Sequence, residues 1–205
     1  MRIFRIIIIC LVLIVTSSCG RVDLSEGTID GIKFKETDEV TNFVKIEMTT
    51  NDIKLIELFP DIAPISVRNF QNLVKDGFYD GVIFHRVIPG FVIQAGIPRN
   101  ETREYDSIKG EFRRNGVENN ISHERGVISM ARMGDSTTGF DTASTQFFIM
   151  HRDNPDLDEL YAAFGRMLTG FNTLDKIANV STNQQDEPIA TQTIRSIRFI
   201  EVEKG

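Results

Sequence analysis

Beyond residue 42, eight short strand-like segments, none longer than nine residues, and only two stretches with helical spacing point this chain to a mainly β architecture that closes on itself. Residues 43–48 alternate, with Val44, Ile46 and Met48 set against Lys45 and Glu47, the period of a strand with one buried face. Asn51-Asp52 makes a turn, and 53–59 is a second strand. Pro64 to Lys75 carries Val67, Phe70, Leu73 and Val74 at helical spacing, opened by a proline and closed by Gly77. Strands are expected at 82–84 and 91–94 on either side of Pro89-Gly90, and at 127–131, 146–150, 162–166 and 194–202. A second helix is expected over 171–179, with Phe171, Leu174, Ile177 and Ala178 on one side. The charged, Asn- and Gly-containing segment 98–126 and the polar stretch 132–145 read as loops.

The ends of this pattern are of a different kind. Met1-Arg2-Ile3-Phe4-Arg5 is a short basic head, Ile6 to Val15 an unbroken apolar run, and Thr16-Ser17-Ser18-Cys19-Gly20 a small-residue exit. That order is the one found in a secretory signal over residues 1–18. The run is too short for a bilayer, which needs about 20 apolar residues. The small residues ending in cysteine resemble a bacterial lipobox, which implies cleavage before Cys19 and lipid on its sulfur; the departure is Thr16, where a leucine is usual. Ordinary secretion is the alternative. Residues 19–42, polar, acidic and without periodicity, read as a flexible tether, and 43–205 as the folded domain.

Only two cysteines occur, Cys10 inside the apolar run as a small hydrophobe and Cys19 at its end, so the exported domain has no disulfide to form. A domain of this size buries enough surface to be stable without one. Loss of Arg2 and Arg5 with the leader leaves 21 basic against 29 acidic residues, a net charge of −8. Nucleic-acid binding and electrostatic adhesion to anionic membranes both call for basic surfaces, so neither fits.

The chemistry is concentrated in Phe84-His85-Arg86-Val87-Ile88-Pro89-Gly90-Phe91-Val92-Ile93-Gln94 and, about fifty residues on, Gln146-Phe147-Phe148-Ile149. Together these resemble the signature of the cyclophilin family of peptidyl-prolyl cis-trans isomerases, over roughly residues 43–203. The resemblance implies an eight-stranded antiparallel barrel capped by two helices, with no cofactor and no metal. It implies that Arg86, Phe91 and Gln94 are catalytic and that Val92, Ala131, Arg132, Gln146, Phe148, Leu157 and Tyr161 bind substrate. In it Arg86 donates to the prolyl nitrogen, Phe91, Val92, Phe148 and Leu157 form the proline pocket, and Gln94 and Gln146 hold the substrate backbone.

The chemistry suits such residues. Rotation about an amide C–N bond is resisted by about 18–20 kcal/mol, and X-Pro bonds populate both isomers while exchanging slowly. No bond breaks, so what is needed is selective stabilisation of the twisted amide, and Arg86 offers five donors at any ordinary pH. Two departures stand out. Val92 replaces the methionine common in the family, and Asp156 stands where many members carry the tryptophan that contacts cyclosporin, which puts sensitivity to that inhibitor in doubt. The loop 132–145 is also a few residues longer than the usual bacterial pattern.

The three histidines, His85, His123 and His151, have no paired metal-ligand spacing, and no nucleophile elbow or phosphate loop is present. A binding or chaperone module with little catalysis is the alternative function; a hydrolase using His85 or Ser129 lacks a recognisable triad context. The sequence therefore points to a monomeric, lipid-anchored isomerase of the bacterial envelope, outside the cytoplasm, with proline-containing polypeptides as substrates.

Overall fold

The structure, a computed structural model, describes residues 23–99 and 103–204. The signal segment and Cys19 lie outside the described residues. Ten strands are hydrogen-bonded in one antiparallel sheet: β1 (Glu26–Ile29), β2 (Ile32–Glu36), β3 (Phe43–Met48), β4 (Ile53–Leu58), β5 (Phe84–Ile88), β6 (Val92–Ala95), β7 (Val127–Met130), β8 (Phe147–Met150), β9 (Ala163–Met167) and β10 (Ile194–Lys204). Helix α1 spans Pro64–Lys75 and α2 Phe171–Ala178. The spatial order is β1-β2-β10-β3-β4-β9-β7-β8-β6-β5.

The last eight strands of that order are the expected barrel. Its seam is not a full ladder. It is made by the isolated bridge Ile83–Thr193 together with the Phe84 N–H on the Gln192 carbonyl (2.9 Å) and the Ile194 N–H on the Val82 carbonyl (2.8 Å). Residues 82 and 83, expected as strand, therefore serve this seam, and the strand itself begins at Phe84 and carries Arg86 within it.

A larger correction concerns residues 19–42. Where described, this segment is not a free tether: β1 and β2 form a hairpin through the Asp30-Gly31 turn, and β2 pairs with β10 from Ile200–Glu36 to Lys204–Ile32. The hairpin buries Phe34 against Ile53, Leu55 and Ile200, the outward face of β4 and β10. Consequently β4 is buried on both faces, which explains its nearly continuous apolar reading. Lys45, expected to face solvent, is fully buried beneath this layer, with its Nζ held by Glu36, by Glu47 (3.0 Å) and by the Leu24 carbonyl.

Helix α1 lacks a side-chain cap from its own N-terminal residue, Ala63. The buried Glu111 carboxylate supplies it from the distant loop, accepting from the N–H groups of Ile65 (2.9 Å) and Ser66 (2.7 Å) and from the Ser66 hydroxyl. A negative group there satisfies orphan donors and opposes the positive end of the helix dipole.

Lys54 alternates into the barrel with Ile56 and Leu58, and its buried Nζ has no hydrogen-bond partner among the described residues, lying 5.4 Å from the Phe84 ring centroid. Burial pushes this amine down to about 7, only partly countered by Asp52. Below that pH, folded and unfolded chains both carry the proton and the cost of the buried charge is fully present. From there up to the ordinary value of 10.5 the unfolded chain holds a proton that the folded one has shed, so stability rises with pH. Lys54→Met is expected to stabilise the fold by on the order of 2 kcal/mol at about pH 6, the gain shrinking as pH approaches the ordinary lysine value. Denaturant melts at acid and alkaline pH check this; an equal gain at both would show that Lys54 is not a neutral buried amine.

Candidate active site

One transverse row of the sheet organises the site. Arg86 on β5 lies opposite Gln94 on β6, Gln94 opposite Phe148 on β8, and Phe148 opposite Ser129 on β7. The neighbouring row, Val87, Ile93, Ile149 and Ile128, points to the other face and is buried in the main core. Arg86, Phe91, Val92, Gln94, Ala131, Arg132, Phe148, Leu157 and Tyr161 line one cavity of about 180 Å³. Nine of the ten residues expected to be catalytic or substrate-binding thus meet around a single depression. The tenth, Gln146, lines an adjoining cavity of about 300 Å³ that shares Gln94, Ala131 and Arg132 with the first.

Local structure fixes each part. Pro89-Gly90 forms the tight connection before Phe91, with Gly90 at φ 78° and the Phe91 N–H returning to the Ile88 carbonyl (3.0 Å). His151 pins this turn: its Nδ1 accepts from the Gly90 N–H (2.7 Å), its Nε2 lies 3.1 Å from Asp175, and its own N–H donates to the Phe91 carbonyl (2.8 Å). Gly96, at φ 104°, lets the backbone of Thr145 and Gln146 approach so closely that a Cβ would sit 2.5 Å from the Thr145 carbonyl oxygen. The Thr145 hydroxyl donates to the Gly96 carbonyl and the Tyr79 hydroxyl to the Thr145 carbonyl, which seats Gln146 beside Gln94.

The polar side chains form a directed chain. Arg86 Nη1 donates to Gln94 Oε1 (3.3 Å), and Gln94 Nε2 donates to Gln146 Oε1 (2.9 Å). Asp186 lies 3.9 Å from Arg86 Nε, leaving Nη2 without a partner among the described residues. That side chain is 40% exposed and presents its donors on the solvent side of an apolar floor. Arg132 lines the cavity and is also tied into its surroundings. Its Nε donates to the Leu160 carbonyl and its Nη1 to the Thr138 carbonyl, and it lies within 4.8–5.4 Å of the rings of Tyr161, Phe140 and Phe112. It fastens the long 132–145 loop to the cavity wall.

His85 is half-buried; burial, with Arg86 beside it, lowers its basicity, and its buried Nδ1 has no partner among the described residues. Ser129, His123 and Asp158 form a contact that the sequence did not disclose: Ser129 Oγ lies 2.9 Å from His123 Nε2, and His123 Nδ1 lies 2.8 Å from Asp158 Oδ1. This is the connectivity of a hydrolytic triad. Yet Ser129 is fully buried and does not line the cavity, so no substrate carbonyl can reach it. Its only advance signal was the presence of Ser, His and Asp within 36 residues, too common a coincidence to read.

The family model for "Cyclophilin type peptidyl-prolyl cis-trans isomerase/CLD" matches residues 43–199. The chain belongs to this family, and it is an enzyme of the peptidyl-prolyl cis-trans isomerase class. Among its relatives, a peptidyl-prolyl cis-trans isomerase of Acinetobacter baylyi is 42% identical over 67% of this chain and 73% of its own. Peptidyl-prolyl cis-trans isomerase-like 2 of Gibberella zeae is 36% identical over 78% of this chain, which spans only 27% of that longer protein. A crystal structure of a Cryptosporidium parvum cyclophilin-type isomerase superposes with a TM-score of 0.68 at 28% identity, covering 80% of this chain and 98% of that one.

The Phe148 ring, only 5% exposed, lines the cavity and also packs in a buried cluster with Val92, Val127, Met150 and Ala163. Phe148→Leu keeps most of the volume and is expected to fold while losing about tenfold in kcat/KM, or ~1.4 kcal/mol. Phe148→Ala is expected to cost about 3–5 kcal/mol of stability besides. Full activity in the folded leucine variant would make the ring core alone.

Proposed function

We propose that this cyclophilin accelerates X-Pro isomerisation in exported polypeptides through a hydrogen bond from Arg86 to the prolyl nitrogen. The observation that carries the reading is the unpartnered Nη2 of a guanidinium set at the edge of an apolar cavity. A planar amide nitrogen has no lone pair to offer, whereas the twisted, pyramidal nitrogen accepts, so the bond exists in the transition state and not in the ground state. The floor of Phe91, Val92, Phe148 and Leu157 favours the same state, because twisting removes the charge-separated resonance form of the amide. Gln94 orients Arg86, and Gln146, whose Nε2 makes no bond to another described residue, is the donor left for the substrate backbone.

Arg86→Ala is expected to lower kcat/KM by about 2–4 kcal/mol, roughly thirtyfold to a thousandfold, in a protease-coupled assay on a short X-Pro peptide. Stability changes little, since the side chain is 40% exposed. Activity is expected to be flat across neutral to mildly alkaline pH and indifferent to chelators, because no titrating group takes part. Near-wild-type turnover of Arg86→Ala would overturn the assignment in favour of a binding module.

The proposal extends to location: a monomer held at the outer surface of a bacterial membrane by lipid on Cys19. The support is the basic head, apolar run and small-residue exit of residues 1–19. No helix among the described residues is long and apolar enough to cross a membrane. With residues from Leu24 on tied to the barrel, five backbone steps separate Cys19 from that layer, about 17 Å at full extension. The barrel then sits close to the lipid instead of ranging on a long tether. Cys19→Ser is expected to stall processing or to release an active protein from the membrane fraction, and mass spectrometry of the mature N-terminus reads the outcome. An unmodified terminus elsewhere means ordinary secretion.

A further inference from the structure

Behind the cavity, His123 is 2% exposed and makes four hydrogen bonds. Its ring nitrogens meet Ser129 and Asp158; its backbone N–H donates to Asp158 Oδ1 (2.7 Å), and its carbonyl accepts from the Asn154 N–H (2.9 Å). The carboxylate can only accept, so Nδ1 carries the proton and Nε2 accepts from the Ser129 hydroxyl. Burial keeps this imidazole less basic than an ordinary histidine against the opposing pull of Asp158, which favours that neutral form.

The ring supports the pocket from behind. It stacks on Phe148 at 6.1 Å and 21° and meets Tyr161 edge-on at 6.5 Å, while Phe148 and Tyr161 pack edge to face at 5.5 Å. Leu157, a wall of the cavity, sits in the 3₁₀ turn Pro155–Leu157, between Asn154 and Asp158, the two residues that grip His123. One residue therefore sets both the plane of the floor, through its ring, and the place of the wall, through ring and backbone together, although it touches no substrate.

We propose that His123, locked between Ser129 and Asp158, is a positioning residue that fixes the floor and wall of the proline pocket; this rests on the assignment of the cavity as that pocket. Loosening the floor and wall leaves the cavity apolar, and with it the preference for the twisted amide, but weakens the grip on the proline ring, which is the same in planar and twisted states; the loss of uniform binding acts on KM more than on kcat.

Asp158 tests this directly. Asp158→Ala removes two of the four anchors, and, its side chain being 28% exposed, leaves no sealed cavity. KM is expected to rise roughly fivefold with kcat nearly unchanged. Asp158→Asn keeps an oxygen that accepts from both the backbone N–H and Nδ1–H, and KM is expected to stay within about twofold of wild type. A purely structural role would instead reduce the folded fraction, and with it apparent kcat, leaving KM in place. Should Asp158→Ala not fold, His123→Phe, which keeps a stacked ring but takes neither side-chain bond, is expected to show the same rise in KM. An unchanged KM in the folded variant, or an Asn variant as impaired as Ala, overturns the proposal. Phe148→Leu measured alongside separates the two levels. If it is impaired while Asp158→Ala is silent, only the positioning role falls; if both are silent, the pocket assignment falls and the role with it.

Discussion

Strand register is the constraint on which the rest depends. Arg86, Gln94, Phe148 and Ser129 face one another across four neighbouring strands, and the adjacent row of Val87, Ile93, Ile149 and Ile128 fills the barrel. Because side chains alternate, a slip of one residue in any of these strands would send its core residue outward and its site residue inward. The burial that makes the barrel stable is thus the same force that holds the donor, the amide and the ring in line. Fixing this register falls to features at the strand ends: the Pro89-Gly90 turn pinned by His151, and the close approach at Gly96 that seats Thr145 and Gln146.

The N-terminal hairpin adds a second layer outside the region that the family model matches. A two-stranded hairpin is marginal by itself, but here it extends the sheet at β10 and buries Phe34 on Ile53 and Leu55. It also roofs Lys45, a charge that would be costly to bury without the Glu36 and Glu47 carboxylates and the Leu24 carbonyl around it. Two of those three groups, Glu36 on β2 and the Leu24 carbonyl just ahead of the hairpin, come with the N-terminal layer, so roof and buried charge are interdependent.

Much of this was legible in the sequence. The helix boundaries at Pro64–Lys75 and the strands at 43–48 and 53–58 follow from period and turn chemistry, because each signal is local. The pocket residues came from resemblance and converge in space. The hairpin was not legible: Ile32 and Phe34 are too few apolar positions to mark a strand, and its partner lies about 165 residues away. Lys45 misled for a related reason, since a lysine in an alternating run reads as solvent-facing unless a distant layer covers it. His123, Ser129 and Asp158 became a unit only through folding, as no spacing rule joins a loop, a strand and a turn.

The histidines show how the fold keeps acid–base chemistry out of its site. His151 uses one ring nitrogen on the Gly90 N–H and the other beside Asp175, and His123 uses its two on Ser129 and Asp158. Each has therefore committed both nitrogens to the protein before any substrate arrives. His85 keeps a buried Nδ1 without a partner among the described residues, but burial, and after it the neighbouring Arg86 charge, disfavours its protonation. What remains around the cavity, among the described residues, is the guanidiniums of Arg86 and Arg132, the Tyr161 phenol, a relay of two neutral amides and a wall of apolar side chains. Such a set can stabilise a twisted amide and has no group poised to attack one. That is a physical reason for the chain to rotate a peptide bond and leave it intact.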